Sequence, residues 1–327
     1  MAESLNPFRE WIRLEQPRLG TQVTYATDEF FAAKERLIDA NEAVFIEDKY
    51  DDHGKWMDGW ESRRRRTPGH DHCIIKLGVP GVLHGVDIDT RFFTGNFPPA
   101  ASIDACISED EVPAGDWVEI LGKTELQGDA HHYLAIEDES IWTHIRLNIY
   151  PDGGIARLRV FGEIRPDFTV VSGTIDLVAL GNGGRAIACS DEHYGSMHNL
   201  NVEGRGVNMG DGWETARRRG AGNDWVILAL GHAGIISSIE LDTAHFKGNY
   251  PDRVSLEAAA FASGSNVSHD DSAWQELLPE SKLEADKQHF FEDELNSIGS
   301  VSHVRMSIYP DGGVSRLRLH GRLDSDD

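Results

Sequence analysis

The chain of 327 residues is patterned mainly at a period of two. In Thr143–Tyr150 the apolar Ile145, Leu147 and Ile149 point one way, and His144, Arg146 and Asn148 point the other. That alternation belongs to a strand with one buried face. Val86-Asp-Ile-Asp89 and Ile239-Glu-Leu-Asp242 alternate apolar and acidic residues in the same way. Cys73–Leu77 and Trp225–Leu230 are short and rich in aliphatic residues, and are followed by glycine, which predicts strands that stop there. Ala101–Ile107 and Ser255–Ala262 continue the pattern. Pro151-Asp-Gly-Gly154 reads as a hairpin turn, with glycine accepting positive φ, that returns the chain into Ile155–Phe161. Helical signals are confined to Asp28–Ala40, which has an N-cap residue and apolar Phe31, Leu37 and Ile38, and to a short turn at Ser272–Leu278. Short strands joined by Gly, Pro and Asp turns predict a mainly β sandwich or jelly roll. Ligands of such folds sit on the loops at the ends of the sandwich.

The pattern occurs twice. Asp58-Gly-Trp-Glu61 recurs as Asp211-Gly-Trp-Glu214, an offset of 153 (58 to 211). The same offset superposes Arg64–Arg66 on Arg217–Arg219, Asp71 on Asp224, Asp89-Thr90 on Asp242-Thr243, Phe93 on Phe246, Gly95-Asn96 on Gly248-Asn249 and Pro98 on Pro251. A second block, His144-x-Arg146 with Ile149-Tyr-Pro-Asp-Gly-Gly154, recurs at an offset of 159 (144 to 303). The second copy has therefore gained six residues in between, in Ser263–Asp271 or Glu280–Asp293. A weaker match sets Thr27-Asp-Glu29 over Ser190-Asp-Glu192. A period this long is a duplicated domain rather than a solenoid unit. The boundaries drawn are 1–165 and 166–327, with Arg165–Thr174 as the junction and Pro166 as its stiff element.

The formal charge is −24 and the pI about 4.9. A field of that sign repels nucleic acid and anionic membranes, so neither is expected as a partner. An anionic ligand would need a local cluster of arginines, and each copy has one: Arg63–Arg66 and Arg217–Arg219. No apolar run reaches the length of a membrane helix, and the N-terminus lacks the apolar core of a signal peptide. With Cys73, Cys106 and Cys189 an odd set without metal-ligand spacing, a cytoplasmic protein with free buried thiols is expected.

Each repeated motif has a structural and a chemical reading. Asp58 and Trp60 suit a turn followed by a core plug, whereas Asp58 or Glu61 held on a tight turn suits a general base. The arginines either relieve an acidic surface or grip a carboxylate at two points. Asp89, Thr90 and Asn96 either shape a loop or converge on a small polar ligand. His144 and Arg146 lie on an outer face, where histidine is also a proton carrier near neutral pH. His70 and His72 share a face, but the second copy has Asn223 opposite His70, so a metal common to both copies has no support. His131-His132 reads as a surface-loop pair.

Lys55–Arg66, Gly69-His-Asp71, Gly85–Thr90 and Phe93–Pro98 resemble the allantoicases (allantoate amidinohydrolases), as do Met209–Thr215 and His245–Asn249. The resemblance spans nearly the whole chain, including the duplication. It implies two tandem jelly rolls of the galactose-binding-like kind, hydrolysis of allantoate to ureidoglycolate and urea in purine catabolism, and a homo-oligomer. Allantoate carries a carboxylate and two ureido arms on one carbon, so it calls for arginine, for acceptors of N–H groups, and for an acid and a base. The expected catalytic residues are Asp58, Glu61, His70, Asp89 and His144. Arg64, Arg65, Arg66, Trp60, Thr90, Asn96 and Arg146 are expected to bind substrate, with Asp211, Glu214, Asp242, Asn249 and Arg305 in the second copy. No cofactor is expected, and a divalent metal such as Mn²⁺ has no support in the sequence. The first copy, which keeps His70 and has Arg63 where the second has Ala216, is favoured as the catalytic one. A ureidoglycolate-processing enzyme and a non-catalytic ligand-binding sandwich are the alternatives.

Overall fold

The computed structural model describes residues 6–8, 11–166, 173–262 and 265–324. The chain falls into two compact units that part between Pro166 and Asp167. Of the predicted junction, Asp167–Ser172 lie outside the described residues, as do Ser263 and Gly264 of one predicted insertion.

The first unit holds β1 (Ile12–Arg13), β2 (Gln22–Ala26), β3 (Tyr50–Asp51), β4 (Gly54–Lys55), β5 (Trp60–Glu61), β6 (Asp71–Asp89), β7 (Ala100–Cys106), β8 (Val118–Glu125), β9 (Tyr133–Ala135), β10 (Ile141–Tyr150), β11 (Gly154–Ile155) and β12 (Arg157–Ile164). The second repeats this as β13 (Ile175–Asp176), β14 (Arg185–Cys189), β15 (Trp213–Glu214), β16 (Asp224–Asp242), β17 (Arg253–Ala259), β18 (Gln275–Lys282), β19 (Gln288–Phe291), β20 (Val301–Tyr309), β21 (Gly313–Val314) and β22 (Arg316–Leu323). Strand order is β1-β12-β6-β10-β7-β8 in one and β13-β22-β16-β20-β17-β18 in the other, so each unit is the same jelly roll. The hairpin β3–β4 has no counterpart.

Strand β6 organises the first unit. Its first half pairs with β2 and β10, and its second half with β9 and β12. The alternation seen in the sequence is the core: Ile145, Leu147 and Ile149 of β10, Ile103 of β7, Val86 and Ile88 of β6, and Leu158 and Val160 of β12 are completely buried. Each contributes on the order of 2 kcal/mol by leaving water. In the second unit, Leu228 and Ile239 from the two halves of β16 join one apolar cluster with Met306 and Leu319.

Four expectations change. Cys73–Leu77 and Val86–Asp89 are not separate strands, because β6 runs unbroken through Gly78, Pro80 and Gly81. Those glycines mark close backbone approach instead: a Cβ on Gly78 would stand 1.9 Å from the Leu19 carbonyl oxygen. Pro151–Gly154 is not a hairpin turn, since β10 and β12 pair with β6 and not with each other. Asp28–Ala40 forms only a 3-10 turn at Lys34–Ile38, and Ser272–Leu278 enters strand β18. The local helix signals lose to sheet pairing and burial, a common override of propensity.

Most of the six-residue gain lies in the loop after β17. That loop spans 260–274 against 107–117 in the first unit, and the rest falls between His289 and His303. A larger difference runs the other way. β2 and β14 start 163 positions apart (22 to 185), but β5 and β15 start 153 apart (60 to 213). The first unit thus carries ten extra residues between Ile38 and Trp60, and they include the β3–β4 hairpin.

Candidate functional site

The repeated motifs meet at one place in each unit. Strand β5 pairs with β11, bringing Glu61 opposite Gly154. Ser62 N donates to Gly153 O at 3.1 Å, and Gly154 N donates to Asn96 O at 2.8 Å. The Pro-Asp-Gly-Gly turn is therefore a clamp between the loop after Glu61 and the loop of Asn96. Gly153 needs to be glycine: its φ is +143°, and a Cβ would stand 2.6 Å from Pro98 N. Phe92, in the same loop as Asn96, is held in the left-handed region at φ 70°, and its N–H donates to Asp129.

The clamp sets Asn96 Nδ2 on Glu61 Oε1 at 2.7 Å. Glu61 is buried, and burial pushes its carboxyl pKa up; the Asn96 hydrogen bond works against this, and the Asp51 carboxylate adds to the rise. Asp51 comes from the β3–β4 hairpin, whose His53 ring stacks 4.3 Å from Phe30. Glu61 opens onto a cavity of about 490 Å³ lined also by Phe31, Arg64, Arg65, Asn96 and Asp152. Arg64 is exposed and has no ion pair or hydrogen bond among the described residues. Arg65 is committed: its Nη1 donates to Asp71 Oδ1 at 2.6 Å and its N–H to Asp152 Oδ2 at 2.8 Å. Thr27 Oγ1 donates to the same Asp71 oxygen.

Several expected site residues stand elsewhere. Asp58 Oδ2 accepts from Arg157 Nη2 at 2.8 Å and from Val44 N, so it neutralises a buried guanidinium, and it does not line the cavity. Asp211 does the same for Arg316. Trp60 is fully buried, donates Nε1–H to Asp28 O at 2.8 Å and does not line the cavity. Asp89 is held by Arg91 through Nε and Nη2, and Asp242 by Arg205. Thr90 Oγ1 donates to loop carbonyls, closest to Gln127 O at 2.6 Å. Arg66 is exposed and does not line the cavity.

The outer-face residues form a second polar group on β6, β7 and β10. Arg146 pairs with Asp104 at 2.6 Å and lies over Trp117 at 4.6 Å. Arg305 pairs with Glu257 and lies near Trp274 in the same manner. His70 Nε2 meets Asn148 Oδ1 at 3.2 Å and its ring packs on Tyr150, outside the cavity lining. His144 is not on a wet face: it is completely buried, bonded to Thr143, and burial lowers its pKa. It lies four residues along β10 from Asn148, roughly 13 Å away, and neither histidine lines the Glu61 cavity. Arg63, absent from the second copy, pairs with Asp28 and packs on Phe30.

Of the expected residues, then, Glu61, Arg64, Arg65 and Asn96 are brought together. Phe31, Asp51 and Asp152 were not anticipated. Asp152 carried a signal, lying in a repeated motif, but the turn reading absorbed it. Among the described residues no group of three or more His, Cys, Asp or Glu gathers as a metal ion would require.

The second unit repeats the arrangement. Asn249 Nδ2 donates to Glu214 Oε1, Arg218 pairs with Asp224, and Arg218 N donates to Asp311 Oδ2 at 2.9 Å.

Comparison with known proteins agrees with this duplication. The allantoicase repeat model matches residues 12–165 and again 175–324. A relative named "Probable allantoicase 1" from Burkholderia mallei is 56% identical over 322 residues, covering 97% of this chain and 96% of its own length. A "Probable allantoicase" from Photobacterium profundum is 54% identical over 327 residues, covering 98% and 99%. The crystal structure of allantoicase from Saccharomyces cerevisiae superposes with a TM-score of 0.81 at 38% identity, covering 95% of this chain and 93% of that one. With both repeats matched and relatives aligned along almost its entire length, the chain is a member of the allantoicase family.

Proposed function

We propose that the Glu61 cavity of the first unit carries the allantoicase reaction. As a member of this family the chain is a hydrolase of purine catabolism that cleaves allantoate with water to ureidoglycolate and urea. The observation that carries the site assignment is Glu61 itself. Among the described residues its buried carboxylate bonds only to an amide side chain, and it shares with an unpaired arginine the lining of a cavity of about 490 Å³.

Arg64, with no partner of its own, takes the substrate carboxylate. Asp152 and the Asn96 amide face the ureido arms, offering an acceptor and a donor. Water adds its oxygen to the central carbon as the C–N bond to one ureido arm breaks. One water proton passes through Glu61 to the departing nitrogen, which leaves as urea. A carboxyl pushed up by burial is suited to hold that proton in transit. The first unit is favoured because only there does a β3–β4 hairpin carry a carboxylate, Asp51, whose charge helps to raise the Glu61 pKa.

A cytoplasmic homo-oligomer belongs to the same reading. Cys73, Cys106 and Cys189 are free thiols, which supports the cytoplasm, and Val44, Phe45, Ile46 and Tyr50 leave an exposed apolar loop, which supports association. Among the described residues no helix is long and apolar enough to cross a membrane.

The test is urea release from allantoate, with and without added Mn²⁺. Glu61→Gln is expected to lower kcat roughly 10²- to 10⁴-fold while the melting temperature holds. Full turnover by a folded Glu61→Gln protein would remove Glu61 from the chemistry. No urea from the unmodified protein would favour a ligand-binding sandwich.

A further inference from the structure

The two units repeat two kinds of contact. One kind builds the fold. Trp60 and Trp213 each donate to a carbonyl at 2.8 Å, and Asp58 and Asp211 each neutralise a buried arginine. The other kind builds nothing that a fold needs. Glu214 uses its side chain only to accept from Asn249, in a partly buried position. Arg217, the counterpart of Arg64, is exposed and has no ion pair or hydrogen bond among the described residues. Holding a carboxylate against an amide costs desolvation that an apolar pair would not. A duplicated domain with no ligand has no physical reason to keep that pair together with an exposed, unpaired arginine three residues along the chain from Glu214.

The loop that presents the pair is kept too. His245 sits in the left-handed region at φ 72°, as Phe92 does at 70°, and its N–H donates to Asp286 as that of Phe92 does to Asp129. Gly313 N donates to Asn249 O at 2.8 Å, the same distance as from Gly154 to Asn96. What differs is the surround. The ten-residue extension is missing, and the positions of Trp56–Asp58 form a 3-10 turn at Met209–Asp211, with Met209 Sδ 4.0 Å from Asn249 Nδ2. Tyr194 and Tyr250 occupy the positions of Phe31 and Phe97.

We propose that the second unit carries a second ligand site, around Glu214, Asn249 and Arg217, for a small carboxylate bearing a ureido N–H arm. The class follows from the shared machinery, a cation for the carboxylate and a carboxylate–amide couple for the ureido group, and so rests on the reading of the first site. The second site lacks the ten-residue extension that the first unit carries. Each chain therefore binds two such ligands, in unlike surroundings.

Hydantoate is a suitable probe. It has a carboxylate and one ureido arm, and no second nitrogen on the same carbon to assist cleavage. Calorimetric titration of the intact chain should give two hydantoates per chain. The variant Glu61→Ala with Asn96→Ala should keep one, and Glu214→Ala with Asn249→Ala should keep one. One hydantoate per chain, lost with the first pair and untouched by the second, would overturn the second site and leave the first reading standing. One per chain, lost only with the second pair, would support the second site and overturn the first reading. No binding overturns both. If the second double variant does not fold, Glu214→Gln serves in its place, with near-UV circular dichroism as the check on packing. The second site should then weaken about tenfold, the loss expected for one hydrogen bond to a charged group. An unchanged two-site isotherm from that variant would overturn the proposal.

Discussion

Replacing Asp58 by alanine separates a structural carboxylate from a catalytic one. Arg157, only 2% exposed at its side chain, reaches Asp58 Oδ2 at 2.8 Å. Its other donors go to carbonyls, with Nη1 on Asp58 O at 3.0 Å and Ala156 O at 2.7 Å, and Nε on Asn41 O at 2.9 Å. Asp58→Ala leaves those carbonyls in place but removes the one carboxylate that, among the described residues, pairs with the buried guanidinium, and strips Val44 N of its acceptor. Leaving a buried charge uncompensated costs roughly 3–5 kcal/mol. The remaining carbonyls favour the low end, about 3 kcal/mol. For a unit of this size each kcal/mol moves the melting point by about 2–4 °C, so the first unit should melt roughly 6–12 °C lower. Scanning calorimetry reads the shift, and urea release well below the transition reads the activity. Adding Arg157→Met to Asp58→Ala should restore part of the loss, because the orphaned charge goes too. The reasoning fails if Asp58→Ala melts within about 2 °C of the parent and turnover has still collapsed.

Arg64→Ala should raise KM for allantoate roughly 10- to 100-fold with little change in kcat, the cost of one charge-assisted contact; a fall in kcat at constant KM would contradict its role. Asp51→Asn removes a charge that raises the Glu61 pKa. The Glu61 limb of the pH–rate profile should therefore move to lower pH, and a limb that stays or rises would count against the hairpin's influence. His131 Nδ1 meets Asp87 Oδ2 at 2.7 Å, and that bond raises the histidine pKa above its ordinary 6.5. A raised pKa stabilises the fold fully below the unfolded value and loses that effect as pH climbs through the folded one. The melting advantage of the parent over His131→Gln should therefore shrink from acidic to alkaline pH; an advantage that grows would refute the pairing.

The duplication and the alternation of β10 were legible because both are written in local residue type. The buried face of Ile145, Leu147 and Ile149 needs no tertiary information to be seen. Strand β6 was misread for the same reason: Gly78, Pro80 and Gly81 look like stops, and only the neighbours that crowd Gly78 explain why the strand continues. Within the site, repetition flagged Glu61, Asn96 and the arginines. It flagged Asp58, Trp60 and Asp89 equally, because a residue held by an arginine or buried in the core repeats as faithfully as one facing a ligand. The partner that separates Asp58 from the site, Arg157, is set by tertiary placement, whereas Arg91 lies only two residues from Asp89. The ten-residue extension with Asp51 has no counterpart in the second unit, so repetition carries no signal for it.

Strand β6 is flanked by one set of partners over its first half and by another over its second. Two stacked sheets joined only by loops can slip past each other by small amounts. Here one continuous backbone runs through both sets, from Asp71 to Asp89, so slippage would have to break the strand. Its ends are also gripped, Asp71 by Arg65 at 2.6 Å and Asp89 by Arg91 at 2.7 Å. Arg65 lines the cavity, and Thr90, next to Asp89, begins the loop that presents Asn96. The strand acts as a gauge bar: the two loops that must meet at Glu61 are hung from opposite ends of a single rigid member.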